Sequence, residues 1–598
     1  MVNALADNQG AGVRHGPYCG TNVRRPPYPH RSGHTVWSVE TVVSLSGERA
    51  VLLELHADHR VRERHEVPRE ELARAVAARE EDHPPRWVWA DTRQVAPLLL
   101  AAGVRVGRCL DLRLCRAILA HAFPQEQWDR PLWAEAAPVQ EAPTLWDQWD
   151  AAATGAAEQE DGSAVLAEFL RQQSVVDGAE RPGRLRLLLA AESAGALVAA
   201  EILHDGLPWD RGEHEAILTE VLGPRPRPGL RPQHMAALAE RVRHELSAPE
   251  LNPDSPQELL RALRRVGVEV TSTSKWALRE VQHPVIEPLL EYKRLARLLA
   301  ASGWAWMDQW VIPSADLTRR GRFHPEYVPG GVITGRWATS GGGALQLPKV
   351  LRPAVRADPG WRLVVADAAQ MEPRVLAAMS GDRALADAAR GHDLYQGLVD
   401  AGVLGTRKDA KVAMLGALYG ASSGQAGQLM PRLSRAYPRA TAVVERAARE
   451  GERGGVVHTW LGRTSAPPPR SWHDAQEAAS QPGASSAVEA RARARARDWG
   501  RFTRNFVVQG TAAELALCWL GELRRRLLQY IPDGMGPHLV YFLHDEVIVH
   551  SPAALAEQVA GDVATSLTAA SRLVFGHAPV DFPVQVATVE NYGDACHG

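Results

Sequence analysis

The stretch Trp361-Arg-Leu-Val-Val-Ala-Asp-Ala-Ala-Gln-Met-Glu-Pro-Arg-Val-Leu-Ala-Ala-Met-Ser-Gly-Asp382 decides how this chain is read. It opens as an apolar strand, stops on Asp367 and continues as a helix, with Pro373 suited to the first turn and Gly381 able to end it. A carboxylate is thereby parked at a sheet edge. A second apolar hairpin, Leu539-Val-Tyr-Phe-Leu-His-Asp-Glu-Val-Ile-Val-His550, carries Asp545 and Glu546 at its turn. Two strands each deliver an acid to one point, which is how a site for two metal ions is built. A lone Asp367 would read more readily as a helix cap or turn residue. The triplet His544-Asp545-Glu546 is harder to dismiss, because hairpin turns call for Asn-Gly or Asp-Gly.

A third segment is Arg407-Lys-Asp-Ala-Lys-Val-Ala-Met-Leu-Gly-Ala-Leu-Tyr-Gly420. Arg407, Lys411, Leu415 and Tyr419 recur every four residues and so share one stripe of a helix. Two cations at one end and an aromatic at the other suit a triphosphate beside a stacked base. A solvated basic face is the plainer alternative, but Gly416 and Gly420 would cost helix stability without a packing or hinge purpose.

The 598 residues exceed what one hydrophobic core supports and suggest roughly three or four domains or subdomains. Hydrophobic content of 45% and charged content of 23% exclude wholesale disorder. No apolar run approaches the ~18 residues of a membrane span, and the first residues lack the basic start and apolar stretch of a signal peptide. The expectation is a cytoplasmic protein without a membrane partner. Cys19, Cys109, Cys115, Cys518 and Cys596 are scattered, with no C-x-x-C pair, and read as reduced thiols. A net charge of -2 conceals basic segments such as Ala490-Arg-Ala-Arg-Ala-Arg-Ala-Arg497, either a solvated face or a phosphate contact.

Residues 1–34 read as a flexible tail and 35–178 as a small α/β domain with its linker, including strands at Thr35-Val-Trp-Ser-Val and Ala50-Val-Leu-Leu-Glu-Leu. Helices dominate from Leu185, and Asn252-Pro-Asp-Ser-Pro-Gln-Glu carries a strong helix-start signal. Strands are expected at 328–333, 363–366 and 539–549. A largely helical insertion lies between the last two, broken by a Pro/Ser/Gly loop over 466–486.

Taken together, the three segments resemble motifs A, B and C of family A DNA polymerases, the group of bacterial DNA polymerase I, in the family's order. The resemblance extends to Thr334-Gly-Arg-Trp-Ala-Thr-Ser, Leu345-Gln-Leu-Pro, Arg501-Phe-Thr-Arg-Asn-Phe-Val-Val-Gln-Gly-Thr-Ala-Ala-Glu514 and the thumb-like Leu289-Leu-Glu-Tyr-Lys-Arg-Leu-Ala-Arg297, covering about residues 185–598. It implies an α+β multidomain right hand, with an antiparallel palm sheet and helical thumb and fingers. The thumb would span 179–310, the palm 311–383 and 516–598, and the fingers 384–515.

The resemblance also implies roles. Asp367 and Asp545 would hold two Mg²⁺ ions, replaceable by Mn²⁺, with Glu546 supporting the metal site or primer end. Arg407 and Lys411 would hold the triphosphate of a deoxynucleotide, Lys411 as proton donor to pyrophosphate. Glu372 would exclude a 2′-hydroxyl, and Gln370, Leu415 and Tyr419 would complete the nucleotide site, with Gly420 beside the template base. Arg336, Arg501, Asn505, Gln509, His544 and Gln346 would touch primer-template DNA. A monomer is expected. Two departures from the family pattern, Ala368-Ala369 for Tyr-Ser and Leu415 for an aromatic, bear on sugar discrimination but remove no metal ligand.

The amino-terminal third faintly resembles a 3′-5′ exonuclease through Trp87-Val-Trp-Ala-Asp-Thr and Asp111-Leu-Arg-Leu-Cys-Arg-Ala-Ile-Leu. Its Asp-x-Glu is missing, Ser38-Val-Glu-Thr41 being the nearest approach, so a degenerate domain without proofreading is expected. No 5′-nuclease domain is expected. The rivals are a polymerase that keeps this exonuclease, a metal-dependent nuclease, and a non-catalytic DNA-binding descendant.

Overall fold

A computed structural model describes residues 40–126, 128, 162–316, 318–391, 393–421, 424–531 and 536–595. The expected tail, the 35–39 strand, most of the 125–162 linker, Cys19 and Cys596 lie outside the described residues.

Toward the amino terminus, five strands order as Val61–Pro68, Arg49–Leu55, Glu40–Ser46, Arg86–Trp89 and Cys109–Asp111. The first three pair antiparallel and the last three parallel. Trp87, Val88 and Trp89 are wholly buried, the continuous apolar run that a parallel strand covered on both faces needs. Asp91 and Asp111 cap the helices Thr92–Ala101 and Leu112–Ala122, accepting from Arg93 N (3.0 Å) and Leu114 N (2.9 Å).

The chain then becomes helical. Ser255 caps Pro256–Arg265 by accepting from Glu258 N at 3.3 Å, while Glu258 reaches back to Asn252 N at 3.0 Å, so the expected start signal operates. Pro182–Asp205 is long and apolar enough to cross a membrane, which the sequence reading overlooked. Two thirds of its apolar window is buried within the protein, and its Glu192 and Glu201 pair with Arg463 and Arg524.

At the centre lies an antiparallel sheet in the order His538–Leu543, Glu546–Pro552, Trp361–Ala368, Val584–Val589. Leu363, Val364, Val365 and Ala366 are fully buried, fixing the strand between two neighbours and against the helix Ala556–Phe575. Cys109, Cys115 and Cys518 are buried free thiols.

Two expectations fail. The strand expected over 328–333 ends at Val328, because Pro329-Gly-Gly and Gly335 fold the next residues into turns closed by Gly335 N to Val332 O at 2.7 Å. The loop expected over 466–486 contains the helix Arg470–Ser480. Its only buried residue, Trp472, packs against Gly454, and Gln476 donates to Ala492 O at 2.9 Å. Tertiary docking supplies what its polar sequence lacks.

Candidate active site

The register of the central sheet sets the acids side by side. Asp367 lies opposite Glu546 at the end of its strand, and Ala368 N donates to Asp545 O at 2.8 Å across the 544–545 turn. Burial and the neighbouring Asp367 carboxylate push the Asp545 carboxyl up to about 7. Two adjacent carboxylates with hard oxygen donors fit a divalent cation such as Mg²⁺. The turn following Asp367 is anchored by the buried Arg374, which donates to Ala369 O, Asp581 O and Gly391 O, each at 2.9 Å. Gln370 takes a left-handed conformation there (φ 52°) and accepts from Leu394 N at 2.9 Å.

Beside the acids, residues far apart in sequence converge. Arg336 pairs with Glu372, and the other oxygen of Glu372 accepts from the Tyr419 hydroxyl at 3.0 Å. Against the raising effect of burial and Glu372 on the Tyr419 hydroxyl pKa, Gln509 lies close enough to lower it. Arg336, Glu372, His544 and Asp545 line one cleft with Trp337 and Ala513. Burial first and Arg336 second push the His544 imidazole down to about 4.

The Arg407–Tyr419 helix begins on Thr406, whose hydroxyl accepts from Asp409 N at 3.1 Å, and ends on Gly420 with φ 73°. Arg407, Lys411 and Tyr419 are exposed along its outer face and Leu415 is half-buried. Arg407 pairs with Asp393 at 2.5 Å, whereas Lys411 has no hydrogen-bond or ion-pair partner among the described residues. Buried Arg504, donating to Ala417 O at 3.0 Å and paired with Glu445, ties this helix to the long Ser486–Leu527 helix.

Other candidates stand apart. Gln346 is exposed in the short turn Ala344–Gln346, Arg501 pairs with Asp498 beside Gly420, and Asn505 is half-buried on the long helix. Glu546 is buried, accepting from the Tyr592 hydroxyl at 2.5 Å and lying 3.6 Å from Arg352, so the carboxy-terminal turn engages it. Sequence reasoning missed Arg374, Arg463, Glu192 and Tyr592, each defined by long-range contacts without a local motif.

Comparison with known proteins gives first the class of fold. The structure is similar, over 94% of this chain and 96% of the other, to the POL domain of Pol1 from M. smegmatis in complex with DNA primer-template and dNTP, with a TM-score of 0.62 and 18% identity. The fold is that of a polymerase domain. Residues 231–594 match the model for DNA polymerase family A, and the chain belongs to that family. Relatives include the thermostable DNA polymerase I of Thermus aquaticus, 29% identical over 48% of this chain and 34% of that protein. DNA polymerase I of Pseudomonas aeruginosa is 26% identical over 61% of this chain and 40% of its own. The chain thus spans about a third to two fifths of the length of these curated relatives.

Proposed function

We propose that this chain is a DNA-templated DNA polymerase that adds deoxynucleotides to a primer 3′-hydroxyl without proofreading, in replication or repair. The observation carrying this reading is the convergence of Asp367 and Asp545 at one end of the central sheet, beside a cleft lined by Arg336, Glu372 and Asp545, with Tyr419 bonded to Glu372. Asp367 and Asp545 would hold two Mg²⁺ ions, which would supply polarisation of the primer hydroxyl and neutralisation of phosphate charge. Exposed Lys411 meets the triphosphate and delivers a proton to departing pyrophosphate, with Arg407 completing the clamp once it leaves Asp393. Glu372, fixed by Arg336 and Tyr419, walls the sugar side, and Gln509 and Arg336 face the minor groove of the nascent pair. Residues 179–310 serve as thumb, 384–515 as fingers and the remainder from 311 as palm, with the fingers helix closing before chemistry.

The amino-terminal sheet is read as an exonuclease-like fold without a working site, because the acids of its exonuclease-like segments are held by protein partners. Asp91 is bound by Arg93 and Arg113, Asp111 is fully buried against Thr92 N (2.8 Å) and Leu114 N, and Glu40 meets His59 at 3.0 Å.

Extension of a labelled primer-template with Mg²⁺, with four deoxynucleotides or with none, tests the reading. Lengthening that disappears in Asp367→Ala supports it, and full extension by that variant sinks it. Shortening without nucleotides that persists in Asp367→Ala would mean that the amino-terminal domain is a nuclease.

A further inference from the structure

Below the cleft, a buried ion pair links segments far apart in sequence. Arg463 Nη2 lies 2.5 Å from Glu192 Oε2, with Arg463 at 8% and Glu192 at 1% exposure and 271 residues between them. Such a pair is a costly way to gain stability, since desolvating both charges offsets most of their attraction. Its surroundings suggest a different use. A Cβ on Gly335 (φ 86°) would fall 2.7 Å from Arg463 Cζ and Nε, so the guanidinium lies directly against the Gly335 backbone. On the other side, Thr334 O sits 3.3 Å from where a Cβ on Gly510 would be, one residue past Gln509. The turn is closed by Val332 N to Arg336 O at 3.1 Å. Arg463 is itself held at its backbone, its N–H donating to Thr459 Oγ1 at 2.8 Å while Thr459 binds the buried Glu514 of the long helix.

We propose that Arg463, seated by Glu192, is a positioning residue for sugar selection: it backs the 332–336 turn, and that turn delivers Arg336 to Glu372. The inference rests on the polymerase reading, in which Glu372 faces the incoming sugar. Arg336 has one rigid partner on the cleft side and a glycine-rich turn behind it, so its direction is set by what the turn leans on. A planar guanidinium supplies a flat support and a fixed fork toward Glu192. A lysine retains the charge but neither of these.

The test is single-nucleotide insertion on a primer-template with a deoxy- or a ribonucleoside triphosphate, measuring kcat and KM separately. The proteins are the full chain, Arg463→Lys, the double variant Arg463→Met/Glu192→Leu, and Leu567→Ala as a core truncation on the Ala556–Phe575 helix. Arg463→Lys should lower the deoxy-over-ribo ratio of kcat/KM roughly fivefold or more, through a raised KM for the deoxynucleotide and readier use of the ribonucleotide. Leu567→Ala should lower thermal stability with the ratio unchanged. The double variant should regain stability, because an apolar pair replaces buried charges, without regaining selectivity. An unchanged ratio in Arg463→Lys, or selectivity returning with stability in the double variant, overturns the proposal. Amide hydrogen exchange over 332–337 reads the same support without turnover and is expected to accelerate roughly tenfold in Arg463→Lys. Unaltered exchange also overturns it. If the unsubstituted chain extends no primer, the polymerase reading falls and takes the sugar-selection role with it, whereas the exchange result still shows whether Arg463 backs the turn.

Discussion

Glu514 sits on the long Ser486–Leu527 helix with no exposed surface, bound by the Thr459 hydroxyl and by Leu461 N at 3.0 Å. Burial pushes its carboxyl up to about 7 from 4.5. A carboxyl raised on folding contributes stability that is complete below its unfolded value and lost as pH rises through its folded one. Denaturant titrations should therefore show stability falling between about pH 4.5 and 7 by a Glu514-linked amount on the order of 3 kcal/mol. Glu514→Gln should remove that portion of the pH dependence. On the outer face of the Arg407–Tyr419 helix, Lys411→Ala should leave the thermal midpoint within about 1 °C, because an exposed side chain without partners among the described residues contributes little. Its turnover number in primer extension should fall roughly 10²-fold or more if the ammonium donates the proton.

At the scale of elements, the two acid-bearing strands were readable because each is an unbroken apolar run ending abruptly in carboxylates. The Arg407–Tyr419 helix was readable because its stripe repeats every four residues. The Arg470–Ser480 helix was not, since only Trp472 faces inward and no apolar period exists to detect. Nor was the Arg336, Glu372, Tyr419, Gln509 cluster readable from spacing, as its members come from four separate elements and meet only through the tertiary fold. Resemblance to a family supplied those residues, while Arg463 and Glu192, which lack a motif, escaped both routes. Helix contact also makes a prediction. Gly451, on the Pro438–Glu452 helix, abuts Thr503 of the long helix so closely that a Cβ there would overlap the threonine side chain. Gly451→Ala should force the pair apart and cost about 1–3 kcal/mol, measured by thermal or denaturant unfolding.

Across the whole molecule, Arg524 is a principal tie between the amino-terminal sheet and the body. Arg524 donates to Glu201 at 2.9 and 2.7 Å, to Gly107 O at 3.1 Å and to Val106 O at 2.6 Å, joining the long helix, the Pro182–Asp205 helix and the edge of the amino-terminal sheet. Glu201 is also met by Arg105 at 3.4 Å. Arg524→Ala would strip Glu201 of its principal partner and leave two carbonyls without a donor, at a cost of roughly 3–5 kcal/mol. Limited trypsin digestion should then release the amino-terminal portion before the rest, whereas the unsubstituted chain should be cut in both portions together.

The pairing of Trp361–Ala368 with Glu546–Pro552 has a consequence for descent as well as for chemistry. Side chains alternate between faces, and both faces of 363–366 are buried, so sliding one strand by a single residue would exchange the face of every one of these packed side chains and carry Asp367 to the opposite side. No graded series of intermediates connects one placement of the two acids to another. Selection acting on this chain is left to explore the periphery, the residues behind Arg336 and along the outer helix, while the position of the carboxylates is inherited all or none.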